Sequence, residues 1–87
     1  MFQIVKKAID EFNPMGLLPH APDNEYDIET IEIASQINKN SSINEIAEVI
    51  SKVLSESFGN KFEPKKCIST AEVIYQSLIL DDESRDL

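Results

Sequence analysis

The segment from Ser42 to Gly59 constrains the fold of this chain more than any other. Ser42 and Glu45 have the spacing of a capping box, in which each side chain accepts a hydrogen bond from the other residue's backbone N–H at a helix start. Apolar residues then recur at spacings of three and four until Gly59, a residue that favours a helix end. They are Ile43, Ile46, Ala47, Ile50, Val53, Leu54 and Phe58. The segment predicts a helix with one buried face.

A second amphipathic segment lies at the start of the chain. Its apolar residues also fall at spacings of three and four, which predicts a helix with one apolar stripe. Pro14 ends this helix, because a proline disfavours the α conformation in the residue before it. The expected helix therefore runs to about Phe12. Its stripe consists of Phe2, Val5, Ala8, Ile9 and Phe12.

The segment Asn13 to Asn24 contains three of the four prolines and one of the two glycines. Such a composition excludes a helix or a central strand. Apolar residues in a rigid segment of this kind more often fold back onto the core than face water, and here they are Met15, Leu17 and Leu18. We expect an ordered proline-rich loop that is pinned across the helices.

Another helix is predicted directly after this loop, with Asp23 or Asn24 as its N-cap and an end between residues 38 and 40. Acidic side chains in its first turns would interact favourably with the helix dipole. These acidic residues are Glu25, Asp27 and Glu29. The expected apolar stripe is Ile28, Ile31, Ala34 and Ile37, with Ile33 to one side.

A fourth helix is predicted from Pro64, since proline is favoured at the first helical position. Ser69 and Glu72 have the spacing of another capping box, so the helix has an alternative start one turn later. Its expected stripe is Cys67, Ala71, Ile74, Tyr75 and Leu78, widened by Ile68, Val73, Ile79 and Leu80.

Four amphipathic helices with short connections predict an all-α fold, either a small four-helix bundle or a closely related irregular helical array. The proline-rich loop lies between the two helices nearest the N-terminus. Residues 1–80 are expected to form a single helical domain. Residues 81–87 contain four acidic residues and one apolar residue, which predicts a disordered acidic tail.

The charge of the chain limits its partners. Sixteen acidic and eight basic residues give a formal net charge of −8. Such a surface repels phosphate backbones and anionic lipids, so we expect neither nucleic acid nor a membrane as a partner. The same charge would attract a basic protein surface, although an acidic excess also serves solubility alone.

Cys67 is the only cysteine, so no intrachain disulfide can form. The chain has no apolar run typical of a signal peptide or a membrane span, and we expect a cytoplasmic protein. Lys65 and Lys66 beside Cys67 could lower its pKa and favour a nucleophile. Its place on an apolar stripe instead favours a buried structural thiol.

No catalytic or cofactor-binding motif is present, which argues against an enzyme of a familiar type and against a bound cofactor. The acidic residues from Asp23 to Glu29 could offer oxygen ligands to a divalent cation. Residues two apart in a helix point away from each other, which favours a solvated acidic face over a metal site. Tyr26 and Tyr75 are candidates either for an interface or for the core.

Several stretches of the chain taken together resemble a known family. They are Phe12-Asn13-Pro14-Met15-Gly16-Leu17-Leu18, Pro22-Asp23-Asn24-Glu25-Tyr26-Asp27-Ile28-Glu29, and then Ile33, Ile46, Ile50 and Phe58. Up to about Leu80 the chain resembles the YugE-like family, small bacterial proteins with a domain of unknown function. It departs from that family at Phe12, where tryptophan is frequent, and at Asn24, which interrupts an Asp-Glu pair. The resemblance implies a compact helical domain and implies no activity, cofactor or catalytic residue.

The leading functional hypothesis is a non-catalytic protein-protein interaction module that uses the loop and the acidic helix start to bind a protein, for which the net charge favours a basic surface. Its expected contact residues are Leu17, His20, Asp23, Glu25, Tyr26 and Asp27. One alternative is an immunity-type protein that neutralises a basic toxin domain. Another is a small-molecule or metal sensor that uses His20 with the acidic segment. A homodimer is a further possibility if part of a helix stripe stays uncovered.

Overall fold

The computed structural model describes residues 1–14 and 25–85, with side chains described as far as residue 80. These residues form four α-helices and no β-strand, which confirms the all-α prediction. A short 3₁₀ helix, Pro64–Cys67, leads directly into the last α-helix. The four helices are α1 (Phe2–Phe12), α2 (Asp27–Gln36), α3 (Ile43–Phe58) and α4 (Ile68–Arg85).

The helices pack as a ring around one core. The α1 helix packs against α2 and α4, and α3 also packs against α2 and α4. Within the described residues α2 and α4 make no contact with each other, so they lie on opposite sides of the bundle. The most deeply buried large side chains are Val5, Ile9, Tyr26, Ile33, Ile46, Ile50, Leu54 and Ile74. The outward faces of α2 and α4 therefore point in opposite directions.

The α3 helix begins and ends as predicted. The Ser42 hydroxyl accepts a hydrogen bond from the Glu45 backbone N–H at 3.1 Å, and Glu45 Oε1 accepts one from the Ser42 backbone N–H at 2.9 Å. These two bonds form the capping box. The bond that Glu45 accepts from the Ser42 backbone N–H stabilises the Glu45 carboxylate and is the largest cause of its lowered pKa. At the other end Gly59 has a φ of 69°, and its N–H donates to the Ser55 carbonyl. Gly59 adopts this left-handed conformation at little cost because glycine has no Cβ.

The α1 helix also ends as predicted, at Phe12. The next residue, Asn13, has a φ of 47°, and its backbone N–H donates to the Ile9 carbonyl at 2.8 Å. Asparagine tolerates this left-handed conformation better than most residues. Pro14 disfavours a right-handed α conformation at this position, and the helix stops there.

The start of α4 follows one of the two predictions. Pro64 begins the 3₁₀ helix, and α4 follows without a break from Ile68, so Ser69 lies inside the helix instead of capping it. The α4 helix continues through Arg85, beyond residue 80, where the sequence predicted a disordered tail to begin. Adding residues to an existing helix requires no new nucleation. The helix can therefore continue past Leu80, where its apolar stripe ends.

The sequence prediction for α2 was wrong in three respects. The helix ends at Gln36, not between residues 38 and 40. The N-cap is Tyr26, which makes no side-chain capping bond, and the first helical residue is Asp27, so neither Asp23 nor Asn24 is the cap. The predicted stripe is also reversed in part, since Ile28 and Ile31 are 69% and 57% exposed. The buried residues on this side of the bundle are Tyr26, Glu29, Thr30, Ile33 and Ile37.

Isoleucines lie on both sides of α2, so their periodicity alone could not identify the buried side. Tyr26 is fully buried, and its ring packs edge-on against the ring of Phe58 with centroids 6.0 Å apart. An aromatic ring contributes a large buried apolar area and a favourable edge-to-face contact. Burial of this ring immediately before α2 sets which side of the helix faces the core.

We predict that Ser42→Ala lowers the free energy of unfolding by about 1 kcal/mol, because it removes the acceptor for the Glu45 backbone N–H. Urea denaturation followed by circular dichroism would measure the change. The matched control is Ser69→Ala at an exposed serine inside α4, which should change the free energy by less than about 0.5 kcal/mol. Equal effects of the two substitutions would contradict a stabilising role for the capping box.

Candidate functional site

The predicted contact residues fall into two groups. Leu17, His20 and Asp23 lie outside the described residues. Glu25, Tyr26 and Asp27 are described, and they lie where the chain enters α2. Only Glu25 of these three has a fully exposed side chain, and Asp27 is half-buried.

Tyr26 is not available to a partner, so its predicted role as a contact residue needs correction. Its side chain is completely buried, and its hydroxyl donates a hydrogen bond to Asn13 Oδ1 at 2.8 Å. The sequence left open a core role in which the hydroxyl bonds to backbone, and in the structure it donates to the Asn13 side chain. Tyr26 therefore acts as a positioning residue, which orients α2 against the end of α1.

An ion pair reinforces this junction between α1 and α2. Lys6 Nζ lies 2.7 Å from Asp27 Oδ1 and 3.2 Å from Asp10 Oδ2. The hydrogen bond to Asp27 is the largest cause of the raised pKa of Lys6. Because the side chains of this cluster are a quarter to a third exposed, solvent screening limits the stabilisation it provides. Asp27 is thus engaged within the protein.

The Asn13–Tyr26 and Lys6–Asp27 contacts join the two ends of the proline-rich segment. Asn13 directly follows α1 and Tyr26 directly precedes α2. The two residues are 13 positions apart in the chain. A side-chain hydrogen bond between them holds both ends at a fixed separation. The end of α1 is therefore fixed against the start of α2.

A buried carboxylate connects α2 to α3. Glu29 is 6% exposed, and its Oε2 accepts a hydrogen bond from the Ser57 hydroxyl at 2.5 Å. A buried carboxylate is costly unless it is hydrogen-bonded, and Ser57 supplies that bond. The neighbouring Thr30 hydroxyl is buried and has no hydrogen-bond partner among the described atoms. These polar residues face inward while the isoleucines beside them face solvent.

We define the outer face of α2 as the exposed isoleucines and the polar side chains next to them: Glu25, Ile28, Ile31, Glu32 and Ser35. Residues three and four apart lie side by side on a helix surface. Ile28 therefore adjoins Ile31 and Glu32, and Glu25 lies just before the start of the helix. An apolar centre with a polar rim is typical of a protein interface. Sequence reasoning placed Ile28 and Ile31 in the core and so missed this surface.

The signal that could have revealed this surface is the distribution of isoleucine around α2. Ile33 and Ile37 lie on the buried side, and Ile28 and Ile31 lie on the opposite side. A helix with apolar residues on both sides does not bury all of them against one core. Two isoleucines had to remain outside, whichever side the core selected.

A metal site was one of the alternatives that the sequence left open. No group of three His, Cys, Asp or Glu side chains there could hold a metal ion. The Cys67 thiol is completely buried, and burial raises its pKa. This environment favours the structural role for Cys67 and opposes activation by Lys65 and Lys66, because a thiolate is the reactive form.

No family model, curated protein or solved structure matches this chain. The resemblance to the YugE-like family therefore stays a prediction from the sequence. Among the helices described, none has the length and apolar character needed to cross a membrane.

We predict that Tyr26→Phe lowers the free energy of unfolding by about 1 kcal/mol through loss of the bond to Asn13. Asn13→Gly removes the amide acceptor while still allowing a left-handed backbone. In that background Tyr26→Phe should cost less, giving a coupling energy of about 0.5–1.5 kcal/mol between the two residues.

Urea denaturation of the wild type, both single variants and the double variant would measure this coupling. Tyr75→Phe, at the half-buried tyrosine of α4, is the matched control, with an expected change under about 0.5 kcal/mol. Additive effects of Tyr26→Phe and Asn13→Gly would contradict the role assigned to this hydrogen bond.

Proposed function

We propose that this protein is a non-catalytic interaction module that binds a protein partner through the outer face of α2. The observation that carries the proposal is the exposure of Ile28 and Ile31 on a helix that buries Glu29 and Thr30. Exposing two adjacent isoleucines while burying a carboxylate is unfavourable for an isolated domain. A partner that covers the isoleucines would remove their contact with water.

The charge around this face supports a basic partner. Between Lys7 and Lys39 the chain contains seven acidic residues and no lysine or arginine. Glu25 and Glu32 are exposed beside Ile28, whereas Asp27 is paired with Lys6. A partner with an apolar centre and a basic rim would complement this surface and associate rapidly by electrostatic attraction. A second copy of this chain would instead bring its own acidic residues against it.

This proposal keeps the basic protein partner expected from the sequence and moves its main contacts from Tyr26 and Asp27 to the outer face of α2. Glu25 belongs to both surfaces. The cytoplasm is the proposed location, an expectation that rests on the sequence.

Affinity capture from a lysate of the source organism, with bound proteins identified by mass spectrometry, tests the proposal through matched variants. Ile28→Ser/Ile31→Ser removes the apolar centre, and Glu25→Gln/Glu32→Gln removes the acidic rim. We expect Ile28→Ser/Ile31→Ser to reduce capture of the partner by about tenfold or more, since truncating a central interface side chain costs about 1–2 kcal/mol or more. Glu25→Gln/Glu32→Gln should slow association and weaken the salt dependence of capture, because charges at the rim act mainly on the association rate. Capture by the wild type should also fall as salt screens the charges.

The control is Glu48→Gln/Glu56→Gln, which removes the same amount of charge from exposed positions on α3. This variant should capture the partner as the wild type does. Circular dichroism of each variant checks that the helices are intact. The proposal is wrong if no protein is enriched by the wild type, or if the isoleucine variant and the control capture equally.

A further inference from the structure

The α4 helix has a second uncovered apolar surface, on the side of the bundle opposite to α2. We define the outer face of α4 as Glu72, Val73, Gln76, Ile79 and Leu80, all of which are exposed. Val73 is 44% exposed and Leu80 is 62% exposed, although both lie within four residues of buried core positions. A helix that is apolar on all sides is normally covered on all sides. The bundle covers only the side that carries Cys67, Ala71, Ile74 and Leu78.

The outer face of α4 carries few charges as far as Leu80. Glu72 is the only charged residue between positions 68 and 80, in a chain in which 28% of residues are charged, and three acidic residues, Asp81, Asp82 and Glu83, follow near the end of the helix. Two copies of a protein with a net charge of −8 repel each other, so they can approach most readily where each presents the fewest acidic side chains. The outer face of α2 does not meet this requirement, because Glu25 and Glu32 flank its isoleucines.

Gln76 makes this surface compatible with itself. It lies one turn from both Val73 and Leu80, so it occupies the middle of the outer face of α4. Its amide offers both hydrogen-bond donors and an acceptor. In a two-fold contact the same residues face each other from both copies. A glutamine near such an axis can therefore donate to and accept from its own counterpart.

We propose that a second copy of this chain covers the outer face of α4, forming a two-fold homodimer. In this dimer the apolar side chains of Val73, Ile79 and Leu80 pack against those of the other copy. The dimer does not depend on the function proposed above. Because α2 and α4 lie on opposite sides of each bundle, the two outer faces of α2 remain open at the far ends of the dimer. The assembly would then present two binding surfaces to a repetitive or dimeric partner.

Sedimentation equilibrium over a range of protein concentrations and salt concentrations tests the dimer. The wild type should approach twice its chain mass of 9.8 kDa as concentration rises. The association should strengthen with salt, because salt screens the repulsion between acidic copies and leaves the apolar contact intact. This salt dependence is opposite to that expected for a basic partner at α2.

Val73→Glu/Leu80→Glu should weaken the dimer by at least about tenfold, since it places acidic side chains inside the contact. Ile28→Glu/Ile31→Glu is the matched control, with the same residue types introduced and the same change in net charge on the opposite side of the bundle. The control should still form the dimer. Its added negative charge should weaken association at low salt, and high salt should remove that effect. Far-ultraviolet circular dichroism establishes that both variants are folded.

A mixing experiment distinguishes a variant that loses the dimer contact from a variant that is unfolded. Gln76→Glu and Gln76→Lys should each dissociate the dimer when alone, because like charges then meet at the axis. An equimolar mixture should associate again as a heterodimer. A wild type that stays monomeric at every concentration and salt, an α4 variant that dimerises as well as the α2 control in high salt, or a mixture that does not associate would each overturn the proposal.

Discussion

The orientation of α2 about its own axis determines the character of much of the protein surface. Tyr26 sets that orientation by placing its ring in the core beside Phe58 and its hydroxyl against Asn13 at the end of α1. The Glu29 carboxylate, bonded to Ser57, holds the same side of α2 against α3. With these contacts made, Ile28 and Ile31 have no position within the core. The exposure of Ile28 and Ile31 on α2 is thus a consequence of how the core is packed.

The local structure of this chain was predictable where one residue type has a single favourable role. The capping box at Ser42 and Glu45, the left-handed end at Gly59 and the stop at Pro14 each follow from backbone geometry and hydrogen bonding within a few residues. The amphipathic stripes of α1 and α3 were equally informative, because each helix has apolar residues on one side only. These features were enough to identify the fold class.

The face of α2 and the end of α4 were not predictable in the same way. The α2 helix carries apolar residues on both sides, so the choice of its buried side depends on contacts with distant residues such as Ser57 and Phe58. The role of Tyr26 also depends on the third dimension, because its partner Asn13 lies across the proline-rich segment. Predicted contact residues Leu17, His20 and Asp23 lie outside the described residues and stay predictions.

The two helices with uncovered apolar faces lie on opposite sides of the bundle and differ in charge. The face on α2 has an acidic rim, whereas the face on α4 carries only Glu72. This difference suits them to different occupants, a basic partner for α2 and a second copy for α4. One small bundle can in this way separate self-association from recognition.

The orientation of α2 is the central claim, and thiol labelling of Thr30→Cys and Ile31→Cys tests it most directly. The two positions are adjacent in the chain, yet Thr30 is buried and Ile31 is 57% exposed. Mass spectrometry after brief labelling of the native protein would quantify each site, with the buried Cys67 as an internal reference. Rapid labelling at position 31 together with protection at position 30 is the predicted result. Protection at position 31 with rapid labelling at position 30 would show that α2 faces the core with its other side.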